Sequence, residues 1–154
     1  MISLDAFWKG RDTEYANELT DEIRTNASLT VEKANEFLAV AQRSDITTVS
    51  SGWRPKSVNS ATRNAAKTSK HLLGLAVDLP DSDGTLAEWM MDNVDVLKDL
   101  ELWAEHPGWT HGKEDWVHLQ TVPAGNPPKP QVRIFIPSNN PATTKRFGTT
   151  PVIL

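Results

Sequence analysis

The chain contains no cysteine. Disulfides and thiolate metal ligands are thereby excluded, so any bound metal must take His, Asp or Glu. No apolar run approaches the roughly 18 residues needed to span a bilayer, so membrane insertion is not expected. Positive charge is not in excess either: 16 Lys and Arg face 20 Asp and Glu, a net charge of −4. A nucleic-acid binder needs a basic face, so nucleic acid is not an expected partner. The N-terminus, Met-Ile-Ser-Leu-Asp-Ala-Phe-Trp, lacks a basic region followed by an apolar segment. The expectation is a protein made in a bacterial cytoplasm without an export signal.

What is present fits one globular domain. The 154 residues suffice for a real core, and 23% charged with 38% hydrophobic residues is an ordinary balance. A monomer is expected. The six tryptophans are many for this length; some should pack the core and some should line a cleft.

Residues 20–43 read as one amphipathic helix, because Ile23, Ala27, Val31, Ala34, Leu38 and Ala41 recur at three- and four-residue steps. Thr20 suits the N-cap, with Asp21 and Glu22 in the first turn. Residues 46–50, rich in β-branched side chains, read as a strand. Residues 57–67 suit a short helix or a loop. A strand is expected over 75–79, a helix over 85–98, and short strands over 101–105, 116–121 and 132–136. Residues 123–130 hold four prolines, which blocks regular structure. The pattern predicts an α+β fold, a small antiparallel or mixed sheet flanked by helices. Its domain should span 1–136, with 137–154 as a tail, either a surface strap or partly disordered.

The chemistry is concentrated in Ser69-Lys70-His71-Leu72-Leu73-Gly74-Leu75-Ala76-Val77-Asp78 and in Asp115-Trp116-Val117-His118. Gly74 permits a tight turn between His71 and Asp78, and a loop entering a strand can fold the two onto one ion. His118 closes a three-ligand set, and period-two alternation puts Trp116, His118 and Gln120 on one strand face. Two imidazoles and one carboxylate suit a zinc ion that keeps its fourth position open for water. Asp115, in the turn Gly112-Lys113-Glu114-Asp115, is a candidate proton acceptor, with Glu114 as competitor. Arg54 can hold a carboxylate or an oxyanion in its planar fork. Trp109 and Trp116 are candidates for cleft walls or for the core. His106 and His111, flanking Pro107-Gly108-Trp109-Thr110, are expected to be solvated, with substrate contact as the alternative. Asp81-Ser82-Asp83-Gly84 lacks the further ligands of a calcium loop and reads as a turn.

Together, Ser51-Gly52-Trp53-Arg54, the Ser-x-His-x-x-Gly-x-Ala-x-Asp of 69–78, and Trp116-Val117-His118 resemble the zinc-dependent D-Ala-D-Ala carboxypeptidases and the phage L-Ala-D-Glu endopeptidases. The resemblance covers about residues 15–121, with the family's early helix echoed in Leu19-Thr20, Asn26-Ala27, Thr30-Val31 and Asn35. It implies zinc on His71, Asp78 and His118, Asp115 as general base, and Arg54 polarising the substrate carbonyl. Ser69, Trp109 and Trp116 would then touch substrate. Asp at the base position is like the phage branch; some relatives carry His where this chain has Gln120. The implied fold is the Hedgehog/DD-peptidase fold, a small antiparallel sheet flanked by helices. The implied activity is hydrolysis of an amide bond in the peptidoglycan stem peptide, by a phage endolysin or virion-associated wall hydrolase acting after release or from the virion. The rival expectation is a zinc-stabilised, non-catalytic wall-binding module of the same fold.

Overall fold

A computed structural model of the chain describes residues 1–112, 114–137 and 140–154. Lys113 of the 112–115 turn, and Ser138 and Asn139 of the tail, therefore lie outside the described residues. Helices α1 (Leu4–Trp8), α2 (Arg11–Glu14), α3 (Asp21–Val40) and α4 (Lys56–Ala61) precede strand β1 (Ala76–Pro80). Then come α5 (Thr85–Asp92), α6 (Val94–Asp99), β2 (Trp103–Glu105), α7 (Pro107–Thr110), β3 (Trp116–Gln120), β4 (Val132–Phe135) and β5 (Val152–Ile153). The five strands form one sheet in the order β1-β3-β2-β4-β5.

The fold is α+β, as the sequence predicts, but the sheet is mixed and not purely antiparallel: β2 and β4 run parallel. Connectivity explains this. β3 lies antiparallel to both β1 and β2 and sits between them. The proline-rich return after β3 then delivers β4 to the free edge of β2 in the direction of β2 itself. A parallel neighbour always needs such a crossover.

The sheet has two unlike faces. Val77 and Leu79 of β1, Ala104 of β2, Val117 and Leu119 of β3, and Ile134 of β4 are all buried in the core. They pack with Ile23, Ala27, Ala34 and Phe37 of α3 and with Leu86, Met90 and Leu97 of the α5–α6 pair. Full burial of one such aliphatic side chain contributes about 1.5–3 kcal/mol. The alternate positions, Asp78, His118, Glu105 and Phe135, necessarily face the other way.

α3 forms where the periodicity places it. The Thr20 hydroxyl caps it by accepting from the Ile23 N–H at 3.2 Å. Its polar residues then hold neighbouring loops: Asn26 donates to the Leu73 carbonyl, Thr30 to that of Gly74, and Asn35 makes both amide bonds with Ile2.

Two expected elements differ. Residues 46–50 form no strand. Ile46 and Val49 are buried while Thr47 and Thr48 are exposed, a three-residue step and not strand alternation. The segment meets β1 only at its end, where the Ser50 N–H donates to the Asp78 carbonyl at 2.8 Å and Ser51 forms an isolated bridge to Asp78. The 85–98 helix is broken in two at Asn93 (φ −129°, ψ 43°). The Asn93 side chain donates to the Trp89 carbonyl at 2.8 Å, a local bond that competes with the helical ladder.

The tail from Asn140 is a strap. Thr143 bonds to the Gly108 carbonyl through both its N–H (2.7 Å) and its hydroxyl (2.9 Å). Trp109 Nε1 donates to the Asn140 carbonyl at 2.8 Å, and β5 pairs antiparallel with β4.

Candidate metal centre

His71 sits in a 3-10 turn, Lys70–Leu73, opened by Ser69, whose hydroxyl accepts from the His71 N–H at 3.3 Å. Gly74 ends the turn with φ 71°, the left-handed conformation that glycine adopts without strain. A Cβ there would also lie 3.0 Å from the Ile23 carbonyl oxygen. The turn thus swings His71 back over β1, where Asp78 pairs across the ladder with His118 of β3.

The three side chains converge. Their candidate ligand atoms all lie within 4.8 Å of one another, and all three residues are buried. Asp78 Oδ2 is 3.3 Å from His71 Nε2, and Asp78 Oδ1 is 2.8 Å from His118 Nδ1. Among the described residues this is the one cluster of this kind.

The outer nitrogens fix the tautomers. His71 Nδ1 lies 2.8 Å from the Gly52 carbonyl oxygen, which can only accept, so Nδ1 carries the hydrogen. His118 Nε2 lies 3.0 Å from Gln120 Oε1. The Gln120 amide orientation is set in turn by its Nε2–H donating to the Val122 carbonyl at 2.7 Å. When both imidazoles are neutral, their free lone pairs and the Asp78 carboxylate face one another. Three acceptors so close need a cation or added protons between them. Two ligands of a tetrahedral ion at about 2.0–2.2 Å stand about 3.3–3.6 Å apart. The residues therefore fit a metal ion.

Protons fill the gap otherwise. Burial opposes charge on His118, but the Asp78 carboxylate, with Glu105 and Gln120 adding, pushes it up to about 9. Burial likewise opposes ionisation of Asp78; the two imidazoles outweigh it and hold the carboxyl well below the ordinary range. His71 is moved down, chiefly by burial, against the attraction of Asp78.

Arg54 stands beside this group. Its N–H donates to the His71 carbonyl at 3.1 Å, and Nη2 donates to Ser69 Oγ at 2.9 Å. Its Nε is buried with no partner among the described residues. Burial lowers its pKa, and the charges of Asp78 and Glu105 counter this. The structure thus brings Arg54, Ser69, His71, Asp78 and His118 together.

The remaining candidates lie elsewhere or do something else. Asp115 precedes β3, and its Oδ1 accepts from the Gly112 N–H at 2.8 Å, tying the carboxylate to its own loop. Glu114 is exposed. Trp116 is half-buried on the His118 face of β3, whereas the Trp109 indole is engaged by the strap and by the His106 ring, 5.4 Å between centroids. His106 and His111 are not solvated; both are buried. His106 Nδ1 caps α7 by accepting from the Gly108 N–H at 3.0 Å. His111 Nε2 meets Asp81 Oδ2 at 2.9 Å, and its Nδ1 meets the Thr110 hydroxyl at 2.9 Å. The same Asp81 carboxylate accepts from the Leu86 and Ala87 N–H groups and so caps α5. The 81–84 turn therefore anchors α5 through its buried Asp81, while Ser82 and Asp83 are exposed.

Glu105 was not visible as a site residue in the sequence. It ends a three-residue strand and belongs to no motif. Yet its charge acts on both His118 and Arg54, and burial pushes its carboxyl up, with His118 and Arg54 opposing and Asp78 adding.

No family model, no curated protein and no solved structure matches the chain. What fold and site define is an α+β protein whose sheet carries a buried His71–Asp78–His118 group able to hold a metal ion.

Proposed function

We propose that the chain is a zinc-dependent peptidase of the Hedgehog/DD-peptidase fold that hydrolyses an amide bond in the peptidoglycan stem peptide. The observation that carries this reading is the converging lone pairs of His71 Nε2 and His118 Nδ1 on Asp78, each locked by an outer hydrogen bond, with Arg54 adjacent. A His, Asp, His set without thiolates favours zinc with an open position. Zinc bound there supplies a Lewis acid for the scissile carbonyl and acidifies the attacking water.

The chain's own residues do the rest. Arg54 presents a fixed guanidinium whose Nε has no partner among the described residues, suited to a carbonyl oxygen that gains charge. Ser69 holds that guanidinium in place through Nη2. The proton transfers need a further carboxylate, and two compete: Asp115, by the resemblance, and Glu105, by position. The phage endopeptidase branch is proposed on the Asp-x-x-His of 115–118.

The test is incubation of the purified protein with isolated peptidoglycan, with zinc, with chelator, and with zinc restored. New amine termini in the zinc arms alone are expected, and mass spectrometry of the products names the bond. His71→Ala, Asp78→Ala and His118→Ala should each lose zinc and activity. Binding to peptidoglycan without cleavage in every arm would favour a zinc-stabilised wall-binding module.

A further inference from the structure

We infer that Glu105 is a catalytic residue of this site, the carboxylate that takes the proton from the attacking water and delivers it to the leaving nitrogen. The inference rests on the peptidase reading and deepens it.

The sheet register makes the argument. Trp103 pairs with Gln120 and Ala104 with Leu119 across β2 and β3. One step further, Glu105 falls opposite His118. His118 is itself the partner of Asp78, and Glu105 is the partner of Phe135. Asp78, His118, Glu105 and Phe135 thus form one row across four strands. All four point away from the core, because their neighbours Val77, Leu119, Ala104 and Ile134 point into it. Cβ atoms opposite one another on such a row lie about 4.5–5.5 Å apart. The His118 ring also meets the Phe135 ring edge-on at 6.2 Å.

Burial without a partner is the second observation. Glu105 is half-buried, yet its carboxylate has no hydrogen bond or ion pair among the described residues. A carboxylate withdrawn from bulk water without a partner is costly, and fold stability alone gives no reason to keep one. Arg54 Nε likewise has no partner among the described residues. The two unmatched groups stand on the rim of the metal group, where a water and a peptide carbonyl would satisfy both. Asp115 differs in that its Oδ1 already accepts from the Gly112 N–H of its own loop.

The step balances. The water oxygen bonds to the carbonyl carbon while its proton passes to a Glu105 oxygen. The C–N bond then breaks as that proton moves to the nitrogen, leaving an acid, an amine and the Glu105 carboxylate restored.

The experiment compares zinc-loaded wild type, Glu105→Gln, Glu105→Ala and Asp115→Asn on isolated peptidoglycan. Zinc content, thermal unfolding and co-sedimentation with the insoluble substrate are read alongside product release. Glu105→Gln should keep one zinc per chain, the wild-type unfolding temperature and co-sedimentation, yet release product about 10²–10⁴-fold more slowly. Added formate should restore part of the rate to Glu105→Ala, which a purely structural residue would not allow. Loss of product release in Asp115→Asn with retention in Glu105→Gln would transfer the role to Asp115 and overturn the inference. Product release by Glu105→Gln within about tenfold of wild type overturns the inference, as does loss of its zinc. If zinc-loaded wild type is itself inert, the peptidase reading fails and Glu105 loses its role with it.

Discussion

Gly52 and His71 are locked to each other: the Gly52 carbonyl accepts the His71 Nδ1 hydrogen at 2.8 Å, and only glycine fits at position 52. A Cβ there would lie 2.1 Å from the Phe7 carbonyl oxygen, far inside contact distance. The backbone of α1 therefore presses on the residue that sets which nitrogen of His71 faces Asp78. Gly52→Ala must move one of the two segments. Zinc affinity should fall about 10–100-fold, the usual cost of losing the outer partner of a metal-binding histidine. Competition against a chromophoric chelator measures it, and unchanged affinity would show that the Gly52 carbonyl does not orient His71.

Gln120 plays the matching part for His118. Gln120→Ala removes the acceptor at Nε2 and frees the ring to flip, so zinc affinity should again drop about 10–100-fold. Gln120→Glu keeps an acceptor and should retain most of the affinity. Equal losses in the two variants would mean that size, and not the hydrogen bond, matters at this position.

The pH dependence of the metal-free protein follows from His118. Its pKa is raised in the folded state from the ordinary 6.5 to about 9, so folding favours its protonated form. The stabilisation is fully present below pH 6.5 and is lost as pH rises through about 9. The unfolding temperature of the metal-free protein should decline over that window. With zinc bound the proton is displaced and the decline should flatten. Calorimetry at several pH values, with zinc and with chelator, checks both parts; parallel profiles in the two series would contradict the ligand assignment.

The Asp81–His111 pair should matter for stability and not for zinc. His111→Ala leaves the buried Asp81 carboxylate without its imidazole, and breaking such a pair costs about 3–5 kcal/mol. Denaturant unfolding should show this loss while elemental analysis still finds zinc. A variant that unfolds like wild type would mean the α5 cap alone satisfies Asp81.

Much of the local structure was legible in the sequence, because its cause is local. The Thr20 cap and the apolar steps of Ile23, Ala27 and Val31 specify α3 without help from the rest of the chain. Gly74 specifies the turn that returns His71 to β1, since its left-handed φ suits glycine. Strand alternation puts His118 and Gln120 on one face. The juxtaposed His71–Asp78–His118 group was therefore readable from spacing and residue chemistry.

What the sequence left undecided depends on which strands meet and in what register. His106 and His111 look like loop histidines until the strap and Asp81 bury them. Residues 46–50 look like a strand until the edge of β1 bonds only Ser50 and Ser51, both at Asp78. Glu105 looks like any charged residue at a strand end. Only the pairing of β2 with β3 puts it opposite His118, because strand partners are chosen by burial of the whole apolar face. That face comprises Val77, Leu79, Ala104, Val117, Leu119 and Ile134, spread over 58 positions of the chain, from 77 to 134. Local chemistry marked His71, Asp78 and His118; long-range burial decided what stands beside them.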